Sequence, residues 1–449
     1  MPKIQMRRDT AENWKTNNPT LLAGEWALET DTRKMKMGDG TTPYNLLPYT
    51  DIEDEAWHKP IDWVDIRSGA LDNSIYLLVA HSVPTESGGV YSIANYPKYS
   101  FRVSLESEGT STADIFVDGI KLGVATNMTS YVIDWESLYN SGKVQTIYTT
   151  THPSSLAYHI VRITPTTSTD KIVWLRTIGI ANQIEQGIMW AHYQLDNAIN
   201  MSSAFGSPSS IRNYLLEAVT SKNNKIIYKC SASDSSSGFY SAFSACTSLV
   251  QIPILEAENK NYPSGVYTAF QGVPAKKVTI KNNTGLETIY CLSGTTIQEI
   301  DVENGFVLNN GSTASINIQC TKLKKFPNIS QLVEGEYLVL SRFDSLNSTV
   351  INDLSTVRKH FRFYGTSSHR TDGLKGLTVS NQAPFDSDSS PQININYTGL
   401  NRAALVTLFK SLPTVSASQV CSIVGATGAA DLTAADLAIA TAKGWTITR

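Results

Sequence analysis

Between residues 238 and 327 the chain repeats itself, and this limits its possible folds more than any other feature. Gly238-Phe-Tyr-Ser-Ala-Phe243 returns as Gly265-Val-Tyr-Thr-Ala-Phe270. Cys246-Thr-Ser-Leu249-Val-Gln-Ile252-Pro253 returns as Cys320-Thr-Lys-Leu323-Lys-Lys-Phe326-Pro327. The spacing fits units of roughly 25 residues, within the leucine-rich range. Val278-Thr-Ile280, Ile297–Val302, Tyr337–Leu340, Phe361–Phe363, Leu374–Val379 and Ile393–Ile395 extend the series less regularly. A unit this short cannot bury its own apolar face, so neighbouring units must stack and share a core. This predicts a solenoid with one short strand per unit over residues 185–449.

Both ends of such an array need closing. Ile211–Val219 is predicted to be a helix at the near end. At the far end Asn401–Leu412 is predicted to be an amphipathic helix stopped by Pro413. A second helix is predicted within Asp431–Lys443, with Thr433 as N-cap and Gly444 just past its end. Trp445–Thr448 reads as a closing strand. The pattern A-F-x-x-C-x-x-L-x-x-[IV]-P resembles the BspA-like leucine-rich repeats of bacterial and phage surface proteins. That resemblance implies a leucine-rich-repeat solenoid with helical caps.

The N-terminal segment, residues 1–51, has a different logic. Ile4 and Met6 alternate with polar residues as in a strand. Asp9 or Thr10 is placed to cap a short helix that carries Trp14 and stops at Pro19. Gly24–Thr30 and Lys34–Met37 alternate again, and Gly38-Asp39-Gly40 marks a turn. The segment has too few large apolar residues for a stable monomeric core. Copies sharing one interior would resolve this, so an oligomer is expected. Gly38-Asp39-Gly40-Thr41 lacks the ligands of a calcium loop and the lysine of a phosphate loop, so it reads as a turn.

The run from Arg7-Arg8-Asp9-Thr10 through Asn13-Trp14, Asn18-Pro19, Gly24-Glu25, Glu29-Thr30-Asp31, Lys34, Lys36 and Gly38-Asp39-Gly40-Thr41 to Asn45-x-Leu47-Pro48-Tyr49 closely resembles the N-terminal module of phage tail-fibre and receptor-binding proteins. The resemblance implies an intertwined, homotrimeric β module attached to the virion. It assigns docking and oligomerisation to Arg7, Arg8, Asp9, Trp14, Gly24, Glu25, Asp31, Lys36, Gly38, Asp39 and Gly40.

Residues 52–184 show strand runs bounded by turn residues: Ser74–Ala80, Tyr99–Leu105, Ala113–Val117, Ser130–Ile133, Val144–Tyr148, Tyr158–Ile163 and Lys171–Ile178. Asp118-Gly119 between two of them signals a tight hairpin. Short strands with frequent turns predict a β-sandwich of jelly-roll kind. Trp174, between Val173 and Leu175, is expected in the core. Trp135, after Asp134 in a turn-like stretch, is expected to be exposed and able to stack on a sugar. His152 and His159 read as ordinary histidines, with no carboxylate pair at ligand spacing. The overall fold class is therefore mainly β.

Charged residues are only 17% and the net charge is −3. No basic run interleaves with aromatics, so nucleic acid is not an expected partner. No stretch is long enough for membrane insertion, and no signal peptide is apparent. The odd set Cys230, Cys246, Cys291, Cys320 and Cys421 fits no zinc spacing and reads as buried thiols of a cytosolic chain. No hydrolase, metalloprotease or nucleotide fingerprint occurs. Asp386-Ser-Asp388 lacks further carboxylates for a cation. No cofactor, no metal and no catalytic residue is expected, and the chain is not expected to be an enzyme. A polysaccharide depolymerase is the remaining enzymatic reading, since carboxylate pairs can be distant in sequence.

The expected function is a virion fibre or adhesin, made in the bacterial host's cytoplasm. Its expected partners are its own copies, other tail or capsid proteins, and a host cell-surface glycan or protein. A head fibre or decoration protein is the alternative. Tyr240, Tyr262 and Tyr267, in or between repeats, are the expected ligand-contacting residues along with Trp135. Tyr240 and Tyr267 also suit packing at unit junctions.

Overall fold

In a computed structural model the residues described are 7–32, 35–47, 49–50, 57–95, 97–106, 111–144, 148–151, 155–178, 186–207, 211–229, 241–258, 269–270, 272–281, 297–302, 315–319, 335–341, 346, 349–351, 357–379, 385 and 391–449. The chain forms two compact units, Met1–Lys59 and Pro60–Arg449.

In the first unit β1 (Arg7–Asp9) leads into α1 (Ala11–Asn17). Thr10 caps α1 by accepting a hydrogen bond from the Asn13 amide, and Asn18 ends it in the left-handed region. Then come β2 (Trp26–Glu29), β3 (Met35–Met37) and β4 (Tyr49–Thr50). They form one sheet in the order β1-β2-β3-β4, with β1 parallel to β2 and the other pairs antiparallel. The core is Trp14, Leu21, Ala27, Tyr44 and Leu47. The expected strand at Ile4 and Met6 lies outside the described residues.

The second unit begins with a strap, residues 60–73, followed by β5 (Ser74–Ser82), β6 (Thr85–Ser87), β7 (Val90–Ser92), β8 (Lys98–Glu106), β9 (Thr112–Val117), β10 (Ile120–Thr126) and β11 (Ser130–Asp134). Helix α2 (Trp135–Asn140) precedes β12 (Tyr148–Thr150), β13 (Leu156–Pro165), β14 (Lys171–Ile178) and β15 (Gly187–Gln194). A seven-stranded sheet runs β10-β9-β13-β5-β15-β18, with β12 on β13 and β18 (Ala218–Ser221) parallel to β15. A three-stranded sheet runs β11-β8-β14. The Asp118-Gly119 hairpin has φ of 49° and 84°, the two positive values a tight primed turn requires. Alternate residues of both sheets, such as Ile115, Val161, Leu77, Phe101 and Val103, enter a common core.

Two sequence expectations fail here. Ile211–Val219 is not a helix. β17 (Ile211–Arg212) pairs with β16 (Gly206–Ser207), and Ala218–Ser221 is the sheet strand β18. An apolar spacing compatible with one helix face is instead satisfied by pairing with distant strands, an outcome local periodicity cannot exclude. Trp174 is only half-buried, beside an irregularity in β14 that turns it outward, and its indole N–H donates to Ser202 O at 3.1 Å.

Beyond β18 the strands pair in parallel, each with the one a unit later. Lys225 faces Ile254, Leu255 faces Ile280 and Lys277 faces Glu299. A second parallel run links Ser315–Gln319, Gly335–Ser341, Val357–Tyr364, Ile393–Asn394, Gln419–Ser422 and Trp445–Thr448. This is a β-solenoid of about 5 turns. Phe205, Phe243 and Phe270 stack through it at 6.0 and 5.8 Å, and their amides tie successive turns: Phe205 N to Ala242 O at 2.9 Å, Phe243 N to Ala269 O at 3.0 Å. Tyr193 of β15 packs edge-on to Phe205 at 6.3 Å, so the solenoid core continues into the seven-stranded sheet. The expected border between residues 184 and 185, like the repeat Cys320–Pro327, lies outside the described residues. Helices α3 (Arg402–Ser411) and α4 (Ala434–Thr441) stand near the C-terminus, α4 opened by a Thr433/Asp436 capping box. Among the described residues no helix is long and apolar enough to cross a membrane.

Candidate functional site

In the N-terminal unit most of the motif residues are consumed by the unit's own fold. Arg7 lies 5.3 Å over the Trp14 ring and pairs with Glu25 at 3.3 Å. Glu25 also accepts the Leu22 amide at 2.8 Å, and that bond lowers its pKa. Asp9 accepts the Thr10 amide and the Asn13 side-chain N–H at 2.8 and 2.7 Å. Asp31 accepts the Ala11 amide at the start of α1 at 2.9 Å, which lowers its pKa as well. Trp14 donates to Leu28 O at 3.1 Å and stacks on Tyr44 at 4.9 Å.

Lys36 is buried. Its Nζ donates to Tyr44 O at 2.8 Å and lies 4.4 Å over the Tyr44 ring, while burial lowers its pKa. Tyr44 in turn donates to buried Glu29 at 2.9 Å. Asp39 accepts from Thr41 and Thr42, the Thr42 hydroxyl contributing most to holding its pKa well below the usual range. Gly24 and Gly40 have positive φ, and Gly24 N bonds Gly38 O at 2.8 Å. Arg8 is exposed on β1. Along β1 and α1 lies a cleft of about 250 Å³ lined by Arg7, Arg8, Asp9, Trp14, Asn17 and Pro19. Leu22 and Leu46 are exposed at 74% and 75%, a large apolar display beside a core that has five members among the described residues.

Residues 4–42 match the family model of the major tropism determinant N-terminal domain. The match runs from before β1 to just past the Asp39 turn and does not reach the second unit. It supports a phage receptor-binding type of N-terminus. No curated protein and no solved structure matches the chain.

In the second unit Trp135 corrects the sequence expectation. It is fully buried as the first residue of α2, whose N-cap, Asp134, accepts the Ser137 amide at 3.0 Å. The stretch that read as a turn is a capped helix, and its first turn faces the core. There Trp135 stacks on His81 and His159 at 4.9 and 5.2 Å. His159 is bonded at Nδ1 to Asp118 and at Nε2 to the Tyr139 hydroxyl, both at 2.6 Å. Sequence reasoning missed this linked set. Its members sit on β5, β13, α2 and the β9–β10 turn, and the one available signal, Asp118-Gly119, also specifies a hairpin. The rings of the set are buried in the core, and among its members only Asp118 is partly exposed.

Tyr240, Tyr262 and Tyr267 lie outside the described residues, as do His152, Asp386, Asp388, Cys230, Cys291 and Cys320. Cys246 and Cys421 are free, and burial pushes both thiols up to about 12. Among the described residues no group of His, Cys, Asp and Glu could hold a metal ion.

Proposed function

We propose that the chain is a phage virion fibre with a receptor-binding role. The N-terminal unit docks it to the particle, and the C-terminal array binds a glycan or protein of the host surface. One observation carries this reading: a separate compact unit matching the tropism-determinant N-terminal domain precedes a much larger unit that includes a β-solenoid. A core of five members among the described residues, together with exposed Leu22 and Leu46, supports a homotrimer in which copies cover each other's apolar surface. On this reading the two sheets of residues 74–194 act as a β-sandwich spacer. The parallel array is of leucine-rich-repeat kind, and α3 and α4 close its far end as caps. The extended array suits a polymer or protein partner better than a small metabolite. The proposal assigns the chain binding and not catalysis.

The test is competition. Purified full-length protein at saturating concentration is expected to block virion adsorption to host cells. Undiminished adsorption, with labelled antibody decorating the capsid instead of the tail, would replace this reading by that of a head fibre. Release of oligosaccharide from host polysaccharide by the pure protein would replace it by a depolymerase.

A further inference from the structure

The outer face of the seven-stranded sheet carries a row of side chains that the core does not use. Strand register sets Lys121, Phe116, Arg162, Tyr76, His192 and Thr220 abreast, and residues directly paired across strands share a face. The strap covers the half nearest β15. Leu71 N donates to the Tyr76 hydroxyl at 2.8 Å, and Arg67 lies 5.1 Å over the Trp190 ring. The half on β9 and β13 remains partly exposed, with Phe116, Arg162 and Thr164 only half-buried.

Arg162 is unusual in this row. Its guanidinium lies 3.8 Å from the Phe116 ring centroid. It makes no hydrogen bond or ion pair with any described residue, and its Nε is buried without a partner. The nearby carboxylate is taken: Asp114 holds Lys121 at 2.8 Å and accepts the Thr166 hydroxyl at 3.2 Å. Thr164 and Ser74 bond each other at 2.9 Å. An arginine held over a ring with no bonded partner keeps its two Nη groups as a planar fork matched to a carboxylate or phosphoryl group. The half-buried Thr164 and exposed Thr166 hydroxyls can exchange hydrogen bonds with sugar hydroxyls.

We propose that this face binds an anionic saccharide, with Arg162 receiving its carboxylate or phosphoryl group and Phe116 holding the guanidinium plane. The choice of a saccharide rests on the receptor-binding reading; the anion site itself does not.

The experiment is calorimetric titration of the full-length protein with a hexuronate oligosaccharide, its carboxyl-reduced neutral counterpart and a hexose phosphate. At least one acidic ligand is expected to bind, weakening as salt is raised, with the neutral one about 10-fold weaker or worse. Binding of the hexuronate or of the hexose phosphate identifies which oxyanion Arg162 takes. Arg162→Gln is expected to abolish the preference for charge. Phe116→Leu, which keeps the cation and frees its plane, is expected to weaken binding in part. Thermal unfolding identifies variants that remain folded. The proposal is overturned if the wild type binds acidic and neutral saccharides equally or binds none. Unchanged affinity in folded Arg162→Gln would overturn it too. Because purified ligands are used, failure here leaves the adsorption result untouched, and the reverse also holds.

Discussion

Gly38 has no room for a side chain. A Cβ there would overlap the Leu22 carbonyl oxygen and the Leu21 Cβ, which are backbone or core atoms unable to swing away. Gly38→Ala is therefore expected to destabilise the N-terminal unit by about 1–3 kcal/mol, the usual cost of overpacking. The check is a lowered first transition in thermal unfolding; an unmoved transition would mean this turn does not hold the unit together. His81 makes a second prediction at this scale. Burial, followed by the nearby His159, pushes its pKa down to about 3. In the unfolded chain a histidine titrates near 6.5. Between these values the unfolded state binds more protons, so stability rises with pH there and is lost as pH falls below 6.5. The loss at pH 5 is about 2 kcal/mol. The groups facing His81 are His159, Asp118, Tyr139, Trp135 and the Ser82 carbonyl. His81→Phe is expected to flatten the denaturant midpoint between pH 7 and 5 relative to wild type, and an equal slope in both proteins would reject the assignment.

Among the elements, the phenylalanine ladder says most about the solenoid. Phe243 stacks between Phe205 and Phe270 and is fully buried. Phe243→Ala removes contacts on both sides and leaves a cavity, so the expected cost is about 3–5 kcal/mol. Denaturant unfolding of the larger unit would show it, and a loss below about 1 kcal/mol would mean the turns do not depend on this ladder. Phe243 and Phe270 were legible from the sequence because their surroundings repeat. Phe205, the first rung, was not, although Ser203-Ala204-Phe205 repeats Ser241-Ala242-Phe243; the residues beyond, Met201-Ser202 and Gly206-Ser-Pro, do not match the later units. The first rung belongs to the junction with β15, where Tyr193 replaces a repeat neighbour. Elements defined by local chemistry were equally legible: the Thr10 and Thr433 caps, the Asp118-Gly119 turn and the ends of α3. β17 and β18 were not, because their partners are Gly206–Ser207 and Trp190–Tyr193 and not their own neighbours.

For the whole molecule, the two compact units differ in self-sufficiency. Among the described residues the larger has one continuous core from Ile75 to Trp445, whereas the smaller has a core of five apolar side chains. Full-length protein is therefore expected to sediment as a trimer, and the fragment Pro60–Arg449 as a monomer of unchanged main unfolding temperature. A monomeric full-length chain would remove the basis for shared burial in the N-terminal unit.

The sequence by itself determined the mainly β character, the repeat array, the helix caps and turns, and the tropism-type N-terminus. Each is set by neighbours along the chain or by a recurring unit. Only the tertiary structure decided which polar residues are spent. It buried Trp14, Lys36 and Gly38 of the N-terminal motif and bonded others of its polar side chains within the small unit, and it packed Trp135 against two histidines in the core. It also left Arg162 on Phe116 without a hydrogen-bond or ion-pair partner among the described residues. Those outcomes depend on strand register between segments far apart in sequence, and a register is chosen by the packing of the whole core.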